Sequence, residues 1–256
     1  MLIIDVPKDV KIAVFGDVHS HKEQFNKMIK AIQPSEKLWI ASVGDWIDKG
    51  WSNKDAEEMI DKFMKFADRN IGFSVRGNHD IKYIKAATKE ELKTKKCLQW
   101  LNSCPLSYTF RFVNGSLLSI LHGGVTPGMS ATDIDNDSSV CYIRSVDEFG
   151  KSVPYIYKTK DGKKTMEPAR VGVVWHEVYD GRLGYLACGH ASQKDGIPKF
   201  YNFSCNLDSG IYVTGRLTVQ IFSEKGKEDL LFFDGEPRFK DANDFYKSMA
   251  IDEIKG

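Results

Sequence analysis

Short polar corners, each following an apolar run, hold the side chains of this sequence that could do chemistry. The corners are GDVHSH at 16–21, GDWIDKG at 44–50, RGNHD at 76–80, LHGG at 121–124 and CGHAS at 188–192. Their oxygen and nitrogen donors suited to metal binding are Asp17, His19, Asp45, Asn78, His122 and His190. Such hard donors suit Mn²⁺, Fe or Zn²⁺ better than a metal that prefers thiolates. Six donors are enough for two ions about 3.5–4 Å apart, bridged by one carboxylate, which activate a water and neutralise a phosphoryl group.

The third corner places an imidazole directly beside an amide. With Asn78 as a neutral metal ligand, His79 would point away from the metals toward the oxygen that leaves a phosphomonoester, which needs a proton as it departs. Asp48, three residues after Asp45, is the carboxylate that could hold His79 in its charged form. Lys49 would add positive charge for the phosphate oxygens.

Apolar periodicity predicts the elements that position the first three corners. Three buried strands are predicted at Lys11–Phe15, Lys37–Val43 and Ile71–Val75, each ending where a corner begins. Between them lie two amphipathic helices, the second capped by Ser52 or Asn53. This β-α-β-α-β order implies parallel strands with right-handed crossovers. Ligands gather at the carboxyl ends of such strands, so we expect the corners to meet there.

The second half of the chain has a different pattern. Tyr108–Val113 and Leu117–Leu121 flank Asn114-Gly115, which predicts a hairpin. Residues 130–170 are polar, turn-rich and weakly periodic, and we interpret them as an insert or lid that borders the site. A peripheral helix is expected at Asp241–Ile254. Later apolar runs predict further antiparallel strands at Gly184–Cys188, Leu217–Phe222 and Leu230–Phe233.

Composition limits the classes of protein to which this chain can belong. Its 256 residues, 42% of them hydrophobic, suit one α/β domain over 1–256 with an ample core. A net charge of +1 gives no field that would attract nucleic acid or an anionic membrane, and we expect a monomer. The N-terminus lacks the pattern of a signal peptide, and no membrane span is expected. Five cysteines without a CxxC pair favour reduced thiols and a cytoplasmic location.

In this order, the five corners and the stretch NLDSG at 206–210 resemble the motifs of the calcineurin-like metallophosphoesterases. Among these they look most like the serine/threonine phosphoprotein phosphatases of the bacterial and lambda-phage type. The resemblance spans roughly residues 11–215, and six ordered motifs are far more specific than any one of them. It implies an α/β fold, a four-layer αββα sandwich with mixed sheets, with the site at one sheet edge.

The resemblance also implies a role for each motif residue. Two divalent ions are expected, with Mn²⁺ first and Fe or Zn²⁺ as alternatives. The metal ligands form two overlapping groups, the first being Asp17, His19 and Asp45 and the second Asp45, Asn78, His122 and His190. His79 with Asp48 would be the general-acid pair, and Asp208 would be a partner of the metal-binding histidines.

Three positions depart from the family pattern. Lys49 stands where the family has the arginine of GDxxDRG, which keeps the charge but loses the bidentate fork. Asp80 ends the RGNHD corner where the family has glutamate. After a tryptophan matched to Trp175 the family supplies a phosphate-binding arginine, whereas His176 follows here.

The candidate phosphate-binding residues are therefore Lys49, Arg76 and His176. For His176, ordinary packing and hydrogen bonding in the core is the competing interpretation. For Arg76 it is an ion pair that fixes the corner. Three other arginines could complete the phosphate site instead: Arg144, Arg170 and Arg182.

The sequence thus predicts a hydrolase of phosphomonoesters that acts by direct attack of metal-bound hydroxide. The expected substrate is a protein phosphorylated on serine or threonine, or a small phosphoester. The alternatives with the same chemistry are a dinucleoside tetraphosphate hydrolase and a 2′,3′-phosphatase/phosphodiesterase on nucleotides or RNA ends. A non-catalytic binding protein on the same scaffold is the alternative from another class.

Overall fold

The computed structural model describes residues 1–160, 163–241 and 244. The terminal helix predicted for 241–254 lies, apart from residues 241 and 244, outside this part of the chain. The described strands are β1 (Leu2–Asp5), β2 (Lys11–Phe15), β3 (Leu38–Ser42), β4 (Gly72–Ser74), β5 (Ser107–Arg111), β6 (Leu117–Leu121), β7 (Ser145–Val146), β8 (Tyr155–Lys160), β9 (Lys163–Pro168), β10 (Val173–Val174), β11 (Tyr185–Cys188), β12 (Lys199–Phe200), β13 (Ser204–Asn206), β14 (Arg216–Ser223) and β15 (Gly226–Asp234). The described helices are α1 (Lys22–Ile32), α2 (Asn53–Ala67), α3 (Asn78–Ala86), α4 (Lys89–Thr94), α5 (Lys96–Ser103), α6 (Ala131–Asn136), α7 (Trp175–Val178) and α8 (Ile211–Thr214), with a 3-10 turn at Ser138–Cys141.

The first sheet has the strand order β15-β14-β2-β3-β4. Strands β2, β3 and β4 are parallel and alternate with α1 and α2, which confirms the predicted β-α-β-α-β unit. Helix α2 begins after Ser52, whose side chain accepts the N–H of Asp55, as the capping prediction required. The sheet is mixed because β14 runs antiparallel to β2 and to β15.

The second sheet has the order β1-β5-β6-β11-β13-β12. The hairpin predicted around Asn114-Gly115 is confirmed as β5 and β6. The prediction of an antiparallel strand at 184–188 is wrong, because β11 is parallel to both β6 and β13. The chain crosses over through residues 122–184 before β11 and so returns in the direction of β6. Periodicity within a strand carries no information about such a return.

Two sheets and two outer layers give the four-layer αββα sandwich. Apolar side chains of both sheets meet in one buried cluster, for example Val14 of β2 with Phe110 of β5 and Ala187 of β11. The other face of the first sheet packs on α1, α2 and α5, through residues such as Phe25 and Phe63. Burial of each such side chain contributes about 1.5–3 kcal/mol to the free energy of unfolding. The mixed α/β fold expected from the sequence is confirmed.

The remaining face of the second sheet is covered by the segment that the sequence indicated only as turn-rich. Ile134 of α6, Val140 of the 3-10 turn and Ile143 are buried against Leu121 and Leu186 of that sheet. Beyond them, β7 pairs with β10, and β8 and β9 form a hairpin. The first part of residues 130–170 is therefore built into the core. The interpretation as a lid stays a prediction.

Among the described residues, no helix is both long enough and apolar enough to cross a membrane.

Candidate metal centre and active site

The polar corners converge at one edge of the sandwich because the strands that precede them end there. Asp17 and His19 follow β2, Asp45 follows β3, and Asn78 opens α3 after β4. From the second sheet, His122 follows β6 and His190 follows β11. All of these side chains are buried except Asn78, which is half-buried. The six predicted metal ligands are thus brought together from both sheets.

The first donor group consists of Asp17, His19 and Asp45, whose ligand atoms all lie within 4.8 Å of one another. The Nδ1 of His19 donates to the Ile47 carbonyl at 3.0 Å, which leaves Nε2 facing the carboxylates. This Nε2 lies 3.8 Å from Oδ2 of Asp17 and 3.6 Å from Oδ2 of Asp45. A backbone hydrogen bond that fixes the imidazole tautomer in this way is the usual arrangement at metal-binding histidines.

The second donor group shares Asp45 with the first. The Nδ1 of His122 donates to the Val43 carbonyl at 2.8 Å. Its Nε2 lies 3.4 Å from Oδ2 of Asp45 and 2.9 Å from Oδ1 of Asn78. The same Asn78 oxygen lies 2.8 Å from Nδ1 of His190. One carboxylate oxygen thus faces both groups, which is the arrangement that a bridging ligand requires.

Buried charge is the main electrostatic feature of the site. Burial raises the pKa of Asp17 well above its usual value, and the neighbouring Asp208 raises it further. Burial also acts on Asp45, but the charges of His122 and His79 outweigh it and hold the pKa of Asp45 well below its usual value. Carboxylates buried this deeply need a cation to offset the loss of hydration. The donors therefore fit divalent ions of the class predicted from the sequence.

The three histidines of the donor groups do not all respond to this environment in the same way. Burial lowers the pKa of His19 and of His190 well below the usual range, so both rings are neutral and able to ligate a metal. For His122 burial acts in the same direction, but the carboxylates of Asp45 and Asp17 outweigh it and raise the pKa to about 9. A metal at His122 would therefore have to displace a proton.

The predicted pair of His79 and Asp48 is in contact. The Nδ1 of His79 lies 2.7 Å from Oδ2 of Asp48, and its backbone N–H donates to Oδ1 of Asp45 at 2.9 Å. Burial acts to raise the pKa of Asp48, but the hydrogen bond and charge of His79 lower it far below the usual value. Asp48 is therefore ionised, and Nε2 of His79 lies 4.0 Å from Oδ2 of Asp45, at the side of the donor groups.

Lys49 brings a cation into the same space. Its Nζ lies 3.2 Å from Nε2 of His19 and 4.8 Å from the centre of the Tyr212 ring. Burial acts to lower the pKa of Lys49, but Tyr212 and the carboxylates of Asp45 and Asp208 outweigh it and raise that pKa. The ammonium is therefore charged within the site.

Asp208 lies behind the first donor group. Its Oδ2 accepts the hydroxyl of Ser192 at 2.7 Å, and its Oδ1 accepts the N–H of Gly210 at 2.9 Å. Its charge is one of the causes that raise the pKa of Asp17. Asp208 thus adds negative charge next to Asp17, and its role as a partner of the metal-binding histidines stays a prediction.

Arg76 and His176 make contacts of another kind. The Nη1 of Arg76 donates to the Asn102 carbonyl at 3.4 Å, on α5. His176 is buried and stacks on Trp175 and Tyr201, with ring centres 3.8 Å and 4.3 Å apart. These are the contacts that the competing interpretation of His176 predicted, namely packing in the core.

The ring nitrogens of His176 are also engaged. Its Nδ1 lies 2.8 Å from Oγ of Ser204, and its Nε2 lies 3.7 Å from Sγ of Cys188. Burial lowers the pKa of His176 to about 3, so the ring carries no charge for a phosphate. Its contacts therefore give no support to the prediction that it binds phosphate.

Among the three arginines considered as substitutes, Arg144 is the one that lies beside the donor groups. Its Nη2 donates to the His190 carbonyl at 3.1 Å. Arg170 pairs with Asp147, and Arg182 pairs with Asp180. The sequence named Arg144 as a possibility but held no signal that would select it.

Asp80 has a role that the sequence did not indicate. Its two carboxylate oxygens accept the backbone N–H groups of Asp45, Trp46 and Gly77, each at 2.9 Å. Asp45 has a positive φ of 56°, a conformation that costs a non-glycine residue of order 1 kcal/mol or more. Asp80 therefore fixes the strained backbone that carries the shared carboxylate.

Two glycines allow the backbone to approach the metal-binding carboxylates. A Cβ on Gly77 would lie 2.0 Å from Oδ1 of Asp45, and a Cβ on Gly189 would lie 1.9 Å from Oδ1 of Asp17. Both distances are far below any real contact, so the RGNHD and CGHAS corners require glycine at these points.

The sequence profile of the calcineurin-like phosphoesterases matches residues 10–208 of the chain. No curated protein sequence matches it significantly.

Several solved structures share the fold. A candidate diadenosine tetraphosphatase is 16% identical with a TM-score of 0.68, and the match covers 92% of this chain and 98% of that one. A serine/threonine phosphatase from Saccharomyces cerevisiae, with similarity to human phosphatase PP5, is 17% identical with a TM-score of 0.57, covering 92% and 84%. A cold-active protein-tyrosine phosphatase of a psychrophilic Shewanella is 14% identical with a TM-score of 0.51, covering 91% and 83%. At these identities the similarity concerns the fold and leaves the substrate open.

Proposed function

Because the chain belongs to the calcineurin-like phosphoesterase family, and is thus a phosphoester hydrolase, we propose that it removes phosphate from phosphomonoesters, with phosphoserine or phosphothreonine in proteins as its substrate. The observation that carries this proposal is the position of Asp45. Its Oδ2 faces His19 on one side at 3.6 Å and His122 on the other at 3.4 Å. This geometry supports a dinuclear hydrolase in which one carboxylate would serve both ions.

We expect two divalent ions in this centre, with Mn²⁺ first and Fe or Zn²⁺ as alternatives. One would be held by the first donor group and the other by the second, with Asp45 common to both. Bound there, the ions would supply an activated water and offset the charge of the phosphoryl group. The oxygen and imidazole donors suit all three metals, so the choice among them stays open.

His79 is the proposed general acid. Asp48 accepts a hydrogen bond from Nδ1 of His79 at 2.7 Å, so Nε2 is the nitrogen that can present a proton to a leaving oxygen. The Asp48 carboxylate fixes the ring, with Nε2 of His79 4.0 Å from Oδ2 of Asp45. A serine or threonine alkoxide is a poor leaving group, which is why a positioned acid matters for this substrate.

Lys49 and Arg144 are the proposed phosphate-binding cations. Lys49 reaches the first donor group from the GDWIDKG corner. Arg144 reaches the second from the residue before β7, and its carbonyl accepts the N–H of Trp175 at 3.2 Å. Arg144, next to the β7–β10 pair, therefore lies opposite Trp175, the residue after which the family pattern has its arginine. Together the two cations would flank the oxygens of a phosphoryl group bound between the donor groups.

A dinucleoside tetraphosphate hydrolase is the second candidate function. The fold similarity to a candidate diadenosine tetraphosphatase covers 98% of that protein, with a TM-score of 0.68. Lys49 gives a point charge in place of a bidentate arginine, and a change of substrate within the family would lie at such a departure. A 2′,3′-phosphatase/phosphodiesterase would use the same centre, but no specific contact favours it.

The test compares phosphate release from a phosphoserine peptide with breakdown of diadenosine tetraphosphate, both with Mn²⁺ and both with a chelator as blank. We expect metal-dependent turnover with a kcat/KM that favours the peptide. A strong preference for the dinucleotide would overturn the protein-phosphatase assignment and leave the metal chemistry in place. Tight metal binding without turnover of either substrate would overturn the enzyme assignment for these ester classes.

The monomeric state and the cytoplasmic location stay predictions. All five cysteines are free and buried, which is compatible with a reducing compartment.

A further inference from the structure

Tyr212 is the aromatic residue whose ring lies next to the charged end of Lys49. The Lys49 Nζ lies 4.8 Å from the ring centre, within the distance of about 6 Å over which a cation is attracted to an aromatic face. Tyr212 is only 7% exposed, so the contact is shielded from water. Such contacts are worth most when they are desolvated.

A lysine at this position needs a partner that an arginine would not. The planar guanidinium forms two parallel hydrogen bonds and is positioned by them, whereas the ammonium sits at the end of four rotatable bonds. The backbone of Lys49 is fixed, with a φ of 51° and an N–H that donates to Oδ1 of Asp48 at 2.8 Å. The side chain beyond it has His19 on one side and the ring of Tyr212 on another.

Tyr212 itself is held firmly. It belongs to α8, a single turn between Gly210 and Gly215. Its ring lies edge-on to that of His19, with centres 6.0 Å apart and an interplanar angle of 87°. Its carbonyl accepts the N–H of Phe239 at 3.0 Å. The ring is therefore a rigid surface, and the lysine is the flexible member of the pair.

We propose that Tyr212 is a positioning residue that holds the Lys49 ammonium where it binds the phosphate oxygens of the substrate. The pair then does the work of one arginine. This inference rests on the proposed function for the phosphate-binding role of Lys49, while the contact of ring and ammonium does not depend on it. Tyr212 lies outside the six motifs and is proposed neither as a metal ligand nor as an acid or base. Its effect on phosphate binding would pass entirely through Lys49.

The first experiment measures the affinity of inorganic phosphate for the Mn²⁺-loaded protein by calorimetry, which needs no turnover. Tyr212→Leu removes the ring, and we expect phosphate to bind about 3–10-fold more weakly. Tyr212→Phe keeps the ring, so phosphate should bind to it more tightly than to Tyr212→Leu. In the Lys49→Met background, Tyr212→Leu should have no further effect, because the residue it acts on is gone.

The matched control is Tyr179→Leu. Tyr179 is a buried tyrosine whose ring lies 5.8 Å from the guanidinium carbon of Arg182, outside the donor groups. Its loss should leave phosphate affinity unchanged. Equal weakening by Tyr212→Leu in the Lys49 and Lys49→Met backgrounds would overturn the proposal, since Tyr212 would then act independently of Lys49. Absence of any weakening in the Lys49 background would overturn it as well.

The second experiment observes the pair directly and without phosphate. In protein labelled with ¹³C-lysine and loaded with diamagnetic Zn²⁺, the Hε signal of Lys49 should be moved upfield by the ring. The signal is assigned by its disappearance in Lys49→Met. It should stay in place in Tyr212→Phe and move to the ordinary lysine position in Tyr212→Leu. An ordinary position in the unchanged protein would refute the contact on which the proposal stands.

The two failures can be told apart. If no phosphoester is hydrolysed but phosphate binding and the lysine signal follow the expected pattern, the proposed function fails and the Tyr212–Lys49 pair stands. If turnover is normal and the lysine signal does not respond to Tyr212, the pair fails and the proposed function stands.

Discussion

The two donor groups of the metal centre are built in different ways. The first takes Asp17, His19 and Asp45 from the ends of β2 and β3, neighbouring parallel strands of one sheet. The second combines Asn78 of that sheet with His122 and His190 of the other. The first group thus forms within one β-α-β unit, whereas the second exists only when the two sheets have packed face to face.

This difference separates what local sequence dictates from what only the assembled fold supplies. The ligands of the first group follow directly from strand periodicity and the position of the corners. Those of the second depend on a crossover whose direction periodicity did not predict. Asp45 belongs to both groups, so the effect of a substitution should depend on whether it alters the first group, the second group or both.

The largest effect is expected from Asp45→Asn, which weakens both groups at once. Bound metal should fall from two ions per chain to one or none, and kcat/KM should fall by more than about 1,000-fold. Metal content by mass spectrometry and turnover of a phosphoserine peptide measure the two effects. His190→Ala is the comparison, since it should reduce binding at the second group and spare the first. Equal metal loss in both variants would contradict the shared role of Asp45.

His79→Asn comes next, because it leaves the ligands in place. We expect turnover of a phosphoserine peptide to fall by about 100–10,000-fold, the range of general acid catalysis. Turnover of p-nitrophenyl phosphate, whose leaving group needs no proton, should fall far less. Equal losses on both substrates would show that His79 does not act as the acid. Metal stoichiometry serves as the control and should stay at two.

Metal removal should lower stability, because an ion at the second donor group would tie the two sheets together. At a metal concentration about 100 times its Kd, binding should raise the free energy of unfolding by about 2.7 kcal/mol. Chelation should therefore lower Tm by roughly 5–10 °C. Thermal unfolding followed by circular dichroism measures this fall. His190→Ala should reduce the difference between the loaded and chelated protein. An unchanged difference would mean that the second group holds no ion.

The metal-free protein should have a pH dependence that reports His122. Its folded pKa of about 9 is above the ordinary 6.5, so its contribution to stability is complete below pH 6.5 and is lost as pH rises through 9. The loss should be about 3 kcal/mol in the free energy of unfolding, measured by urea titration in the presence of a chelator. His122→Gln should flatten this part of the profile. A stability that rises over the same range would refute the assignment.

The smallest effect is expected from Ser52→Ala, which removes only the N-terminal cap of α2 in the β-α-β-α-β unit. The loss of the cap of α2 should cost about 1 kcal/mol and lower Tm by roughly 2–4 °C. The kinetic parameters should stay within about twofold, since Ser52 contacts no donor residue. A large loss of activity would indicate that the cap positions the preceding GDWIDKG corner.

Local pattern was sufficient to predict the β-α-β-α-β unit of the first sheet and the donor residues in its corners. The strand ends at Gly16 and Gly44, the cap at Ser52 and the hairpin at Asn114-Gly115 are each determined by residues within a few positions of them. The pairing of His79 with Asp48 spans 31 positions, and it was predicted from the family resemblance together with the expected meeting of the strand ends.

Long-range contacts account for what the sequence did not predict. Asp80 acts through backbone groups 34 and 35 positions away, and Tyr212 reaches Lys49 across more than half the chain. The sequence did not distinguish Arg144 from Arg170 and Arg182 as a phosphate-binding residue. The pairing of β7 with β10 brings Arg144 to the donor groups. His176 is of a residue type that is common in active sites, but its surroundings are those of a core residue. Only its stacking on Trp175 and Tyr201 distinguishes these two interpretations.

The division of the metal centre between two sheets has a consequence for how the protein is made. The earliest ligand is residue 17 and the latest is residue 190, and β14, which lies between β2 and β15 in the first sheet, follows later still. A chain growing from the ribosome can form the β-α-β unit early, since domains fold from the N-terminus during synthesis. The second ion would have no complete site until the chain has emerged through residue 190. Capture of that ion would therefore report that the two sheets have docked, whereas an ion at the first group would not.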